Sequence, residues 1–214
     1  LVGPGLSLAF EGDQVFFKAL LSRLYSGMDS YPLMALPFFI LAGQIMNSGG
    51  ITRSIVDFSQ SMIGHVRGGL AQVNILSSVL FAGLSGSAVA DTSALGKIFI
   101  PVMEKSGYSR SFAAAITAAS SVIGPIIPPS GIMILYAFIM NVSVAGLFAA
   151  GLVPGLMISV GLMIVTSFIS KKRNYPVARR KATWRERGQS FRKTALALLT
   201  PIILLGGILA GIFT

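Results

Sequence analysis

Apolar residues run through this chain in long blocks, each ended or interrupted by a short polar interval. Tyr31 to Asn47 (YPLMALPFFILAGQIMN) comes close to the ~20 apolar residues that cross a hydrocarbon core. Ile51 to His65 has a different pattern: Ile51, Ile55, Val56, Phe58, Met62 and Ile63 alternate with Arg53, Asp57 and Gln60. That helical spacing predicts an amphipathic helix at the membrane interface. Gly68 to Ala82 is apolar but short, and GLSGSAVADTS (Gly83–Ser93) separates it from a second short arm, Ala94 to Met103. Phe112 to Asn141 is long enough to cross, but the three prolines and two glycines of Gly124–Gly131 (GPIIPPSG) cannot sit in one regular helix. A discontinuous helix is expected there. Val144 to Ile169 and Ala195 to Phe213 read as further spans. The whole pattern predicts an all-α integral membrane chain, multi-pass, with a re-entrant helical hairpin and a discontinuous transmembrane helix.

The expected organisation follows the chain. Residues 1–30 end a preceding segment and connect on the periplasmic side, and residues 31–66 hold a span and the interfacial helix. Residues 67–142 carry a hairpin (68–105) and a broken helix (110–141). A span over 143–170, a basic cytoplasmic loop over 171–193 and the start of another unit over 194–214 complete it. The opening LVGPGLSLAF has no charged leader region, and the chain reads as part of a longer protein.

Charge then orients it. The net charge is +10, and ten of the 17 basic residues lie between Lys171 and Lys193, opposed there only by Glu186. One basic loop between two apolar runs is the positive-inside pattern of a cytoplasmic connection, not a nucleic-acid surface; contact with anionic lipid is a further role open to it. With that loop inside, the uncharged turn Asn141–Ser143 faces out and Phe112–Asn141 starts inside, near Lys105 and Arg110. Both short arms then begin and end on the cytoplasmic side, which makes Gly68–Met103 a re-entrant hairpin.

Both polar breaks therefore fall at mid-membrane depth. Irregular backbone survives there only when buried in protein or lining a wet cavity. A break frees carbonyl oxygens and exposes half-helix ends. Carbonyls and helix C-termini suit Na⁺, and helix N-termini suit an anionic group. Asp91 is the one acidic residue well inside an apolar region, which marks it as a functional candidate; its bland alternative is a cap, with Ser93, on the second arm's helix. Lys97 is expected to pair with a carboxylate or to snorkel. Gly151-x-x-x-Gly155 and Gly207-x-x-x-Gly211 read as close helix packing.

An enzyme is not expected. Gly83-Leu84-Ser85-Gly86 has the G-x-S-G form of membrane-embedded serine proteases, whose serine needs a histidine base. The chain's single histidine, His65, precedes it on the amphipathic segment. There is no cysteine, and the scattered carboxylates form no ligand cluster for a hydrolytic metal.

LPFFILAGQIMNSGG (Leu36–Gly50), GLSGSAVADTSALG (Gly83–Gly96) and IGPIIPPS (Ile123–Ser130), in that order, resemble the large membrane subunit (M, DctM-like) of tripartite ATP-independent periplasmic (TRAP) transporters. GGILAGIFT (Gly206–Thr214) is similar to the start of that family's second repeat. The resemblance implies Na⁺-coupled import of a small organic acid (C4-dicarboxylate, sialic acid or sugar acid) across the bacterial inner membrane, by an elevator mechanism. It also implies two partners, a periplasmic substrate-binding protein and a small four-helix membrane (Q) subunit. Carried onto this chain, Ser85, Gly86, Ser87, Gly124, Pro125 and Pro128 are the expected Na⁺ ligands, through carbonyls and serine hydroxyls. Ser87, Asp91, Pro129 and Ser130 are expected beside the substrate carboxylate. Gly131-Ile132 stands where many relatives carry Ile-Pro, and the second repeat would supply the rest of the site. The competing reading is a non-transporting scaffold subunit in which both breaks only pack helices; a channel would need a selectivity ring that the few intramembrane charges do not form.

Overall fold

The computed structural model describes residues 49–177 and 180–210, with a few single positions between 20 and 45. The span expected over Tyr31–Asn47 and the last four residues, 211–214, fall outside the described residues, as does most of the 1–30 segment. Seven helices are described: α1 (Ile51–Ile63), α2 (Gly69–Ser85), α3 (Ala88–Lys105), α4 (Arg110–Ser121), α5 (Gly131–Met140), α6 (Val144–Lys172) and α7 (Trp184–Leu209). No strand is present among the described residues; a single antiparallel bridge pairs Arg67 with Val177.

Serine sets where four of these helices start. Ser87, Ser109, Ser130 and Ser143 sit in extended backbone, and their side chains accept from the N–H groups of Ala90, Phe112, Met133 and Gly146. Each thereby satisfies one of the orphan donors of a helix's first turn. The cap of α3 is thus Ser87, and Asp91 lies one turn inside the helix rather than at its start. A reciprocal pair opens α7: Glu186 accepts from the Thr183 N–H (2.8 Å), and the Glu186 N–H donates to Thr183 Oγ1 (3.4 Å). This Thr-x-x-Glu box starts the last helix at Trp184, ten residues before the 194 boundary expected from hydropathy.

α2 and α3 form an antiparallel hairpin closed by Gly86 and Ser87, and α4 packs along both. α1 lies against α2 on the other side. Its Ile51 and Ile55 meet Leu80, Phe81 and Leu84 near the end of α2, with Ala197 of α7 in the same cluster. The Thr194 hydroxyl donates to the Ser54 carbonyl (3.0 Å), and the Phe58 and Phe191 rings are 6.0 Å apart. The amphipathic face read as interfacial is therefore covered in part by protein, with Ile55 and Val56 buried and Met62 left exposed. Amphipathic spacing reports one apolar stripe and is blind to whether helices or lipid cover it.

α6, the one described helix long and apolar enough to cross a membrane, holds this assembly along its small-residue face. A Cβ at Gly151 would lie 2.6 Å from the Ile126 carbonyl oxygen, and one at Gly155 would collide with Ile127. Higher on α6, Gln72 of α2 donates to the Met163 carbonyl and to Ser167 Oγ, both at 2.9 Å. At its end, Ser170 fills the space against Gly68, whose N–H donates to the Pro176 carbonyl (3.2 Å). Tyr175 stacks on Tyr108 at 4.2 Å and on Phe112 at 5.1 Å, and Arg173 sits over the Phe112 ring. Burial pushes the Tyr108 hydroxyl up to about 12, so Tyr108 stays a neutral phenol at physiological pH.

Gln72→Leu is expected to destabilise the full-length protein by about 1 kcal/mol, because two bonds between α2 and α6 are lost and the Met163 carbonyl loses its side-chain donor. Thermal unfolding in detergent measures it.

Candidate functional site

The two polar breaks meet. α2 ends at Gly86, whose φ of 56° is left-handed and whose N–H donates to the Ala82 carbonyl (3.0 Å). A Cβ on Gly86 would lie 2.8 Å from both the Pro129 carbonyl oxygen and Ser130 Cα, and 3.3 Å from the Gly131 nitrogen. The position thus needs glycine twice, for its dihedral and for the backbone pressed against it. On the other side, a Cβ on Gly124 would lie 3.3 Å from the Ser87 carbonyl carbon and 3.4 Å from the Ala88 nitrogen. The first pair of breaks' ends is the C-terminus of α2 against the N-terminus of α5. The second is the C-terminal side of α4 against the N-terminus of α3.

Between Ser121 and Gly131 the chain makes turns as far as Ile126 and then bends through Pro128–Pro129, whose peptide bond is cis. Within this stretch Ile123 accepts from Ile126 and Ile127, but among the described residues no donor reaches the carbonyls of Gly124 to Pro129. The carbonyls of Gly83, Leu84, Ser85 and Gly86 are likewise without a donor there. These are oxygens of the kind a helix C-terminus offers a cation. Ser85 Oγ accepts from the Ser87 N–H (3.4 Å). The capping hydroxyls of Ser87 and Ser130 mark the anion-favouring helix ends.

Asp91 is fully buried, and neither carboxylate oxygen has a hydrogen-bond partner. Ser78 of α2 and Ser121 of α4 place their hydroxyls within reach of it, and the same hydroxyls bond elsewhere, Ser78 to Ser120 Oγ (2.9 Å) and Ser121 to the Thr117 carbonyl (2.8 Å). The network continues away from the tip, with Asn74 Nδ2 donating to Thr117 Oγ1 (2.7 Å) and Thr117 to the Ala113 carbonyl (2.8 Å). Sequence reading missed this ladder. Its signal was available as polar residues at i, i+3 and i+4 on two otherwise apolar helices, Asn74, Ser77 and Ser78 on α2 and Thr117, Ser120 and Ser121 on α4.

All of the sequence-predicted positions at the breaks thus lie on the two segments in contact: Ser85, Gly86 and Ser87 at the tip, and Gly124, Pro125, Pro128, Pro129 and Ser130 at the break. Asp91 is buried just beneath them. The two segments offer neutral carbonyls and hydroxyls, and the buried Asp91 carboxylate lies one turn into α3 from the tip. Ser85 and His65 stand at opposite ends of α2, a helix of 17 residues and hence roughly 25 Å long, so no serine–histidine pair exists.

The family described as "Tripartite ATP-independent periplasmic transporter, DctM component" matches residues 4–214. The chain belongs to this family. It is 45% identical over 192 residues to the sialic acid TRAP transporter large permease protein SiaM of Vibrio cholerae, covering 90% of this chain and 45% of that protein. The 2,3-diketo-L-gulonate TRAP transporter large permease protein YiaN of Escherichia coli is 40% identical over 210 residues, 98% of this chain and 49% of the relative. The C4-dicarboxylate TRAP transporter large permease protein DctM of Pseudomonas aeruginosa is 41% identical over 214 residues, the whole of this chain and 49% of the relative. This DctM-component chain therefore spans about half the length of these relatives, which are named as permeases and not as enzymes. It is an all-α membrane protein.

Gly86→Ala and Gly107→Ala both place an L residue at positive φ, but only Gly86 has backbone pressed against it, while Gly107 faces open space. Gly86→Ala is expected to lower stability by about 2 kcal/mol more than Gly107→Ala, read as the difference in thermal unfolding of the two full-length variants.

Proposed function

We propose that the protein containing this chain imports a small organic acid down a Na⁺ gradient, as the large permease of a TRAP transporter in the bacterial inner membrane. The observation that carries this is the contact between hairpin tip and broken helix, which gathers donor-free carbonyls above a buried, unpartnered carboxylate. In this reading the Na⁺ ligands are Ser85, Gly86 and Ser87 with carbonyls of Gly124, Pro125 and Pro128. Asp91, first grouped with the substrate, belongs on the cation side: an anionic substrate against a buried carboxylate is repelled, whereas a cation neutralises it. Ser87, Pro129 and Ser130, where the N-termini of α3 and α5 arrive, then face the substrate carboxylate.

A bound cation would draw tip and break together, and the substrate carboxylate would find its favourable helix ends only once they are held. That ordering couples ion to substrate. The hairpin, broken helix and α6 move as one body in the elevator step. The remainder of the site comes from the other half of the full-length permease. A periplasmic substrate-binding protein delivers the acid, and a small four-helix membrane subunit completes the complex. The substrates named for the relatives are all organic acids, which supports the class and leaves the individual acid to experiment.

Proteoliposomes holding the full-length permease, its small subunit and its binding protein are expected to accumulate sialic acid or succinate only with a Na⁺ gradient. Ser85→Ala combined with Ser87→Ala should cut uptake severely; Na⁺-independent uptake, or unchanged uptake in that variant, would sink the ion site. Asp91→Asn should raise the Na⁺ concentration for half-maximal uptake by about tenfold or more, because a formal charge leaves the ion's surroundings.

A further inference from the structure

A second feature lies beside the hairpin tip, on a face of α3 other than the one that carries Asp91. The start of α1 and the first turns of α3 border an open recess of about 400 Å³, lined by Gly50, Arg53, Ala90, Ser93, Ala94 and Lys97 among others, with Arg53, Ser93 and Lys97 exposed. That volume is in the range of small-molecule sites. Arg53 and Lys97 come from different helices, 44 positions apart in the chain, yet line the same space. No acidic residue is on that lining, and among the described residues neither cation is in an ion pair. Asp57, one turn beyond Arg53 on α1, is exposed and outside the lining. Of the two expectations for Lys97, pairing with a carboxylate or snorkelling, no carboxylate pairs with it among the described residues, and its side chain is exposed.

The end of α1 adds to the same field. Gly50 precedes its first turn in left-handed backbone, gives no side-chain cap, and is followed by no acidic residue in that turn. No acidic side chain in that turn offsets the positive end of the helix dipole. Two like charges converging on one recess repel each other, and an anion between them removes that repulsion while supplying charge-assisted hydrogen bonds. Ala90, Ala94 and Ile98 give the remaining wall an apolar character that suits the body of an organic molecule.

We propose that this recess binds the anionic head of an organic ligand, a carboxylate or phosphate, between Arg53 and Lys97, with the Ser93 hydroxyl beside it. Resting on the transport reading above, the occupant is the transported organic acid, held beside the hairpin tip at a station separate from the Ser87–Ser130 site. A phospholipid headgroup offers the same oxyanion chemistry and is the other source.

The test uses the full-length permease purified in detergent, with radiolabelled sialic acid or succinate as the probe and co-purifying phospholipid measured by mass spectrometry. Arg53→Gln and Lys97→Gln should each weaken acid binding by about tenfold or more, and Lys97→Arg should restore most of it. If acid affinity is unchanged but anionic phospholipid held by the wild type is lost from both Gln variants, the recess is an oxyanion site filled by lipid. Unchanged acid affinity together with unchanged phospholipid content in both variants overturns the proposal. A wild type that binds neither acid defeats the transport reading, and the phospholipid measurement then decides the recess by itself. Melting temperatures within a few degrees of wild type confirm that the Gln variants are folded; a variant that fails this is replaced by Arg53→Met or Lys97→Met and judged by the same two readouts.

Discussion

Everything at the centre of this structure depends on how closely two interrupted backbones approach. The chain breaks a helix at Gly124–Ser130 and turns a hairpin at Gly86–Ser87, and either alone would leave carbonyls and amides exposed in a medium that cannot hydrate them. Seating one break on the other surrounds both with protein. Glycine at 86 and 124 makes that seating possible, since a methyl group at either would meet main chain that has no side-chain freedom to yield. The serine caps of α3 and α5 each take up one first-turn amide, while the carbonyls at both breaks have no donor among the described residues.

The hairpin and the broken helix were legible in the sequence because their signals are local. Pro125, Pro128 and Pro129 forbid a continuous helix, and Gly83–Ser93 interrupts an apolar run with residues that turn and cap. That Ser85–Ser87 and Gly124–Ser130 would lie on interrupted backbone was legible for the same reason, since backbone conformation follows residue type. The surroundings of Asp91 were not. Whether a carboxylate caps a helix, pairs, or is buried bare depends on which helices close over it, and Ser78 and Ser121 arrive from α2 and α4. Resemblance to relatives also placed Asp91 with the substrate, and its burial gives a physical reason to move it.

α1 shows the same limit from another direction. Its alternating pattern was real, but the pattern cannot tell lipid headgroups from the flank of a neighbouring helix, and here Phe81, Leu84 and Ala197 supply the cover. α7 is the reverse case. Hydropathy hid its start, because the first ten residues from Trp184 are polar, while the Thr183–Glu186 box announced it plainly. A capping motif outweighs mean hydropathy when the two disagree about where a helix begins, because it reports the hydrogen bonds that start the helix.

The fastening at the foot of the hairpin has a mechanical consequence. Gly68 at one leg is tied to Ser170 and Pro176, and Tyr108 at the other leg is stacked on Tyr175, so both legs are pinned to a single short stretch at the end of α6. The same helix presses on the broken backbone through Gly151 and Gly155. A structure held at its foot and its crown by one strut does not unzip. Force applied to either leg is shared by the other and passes into α6.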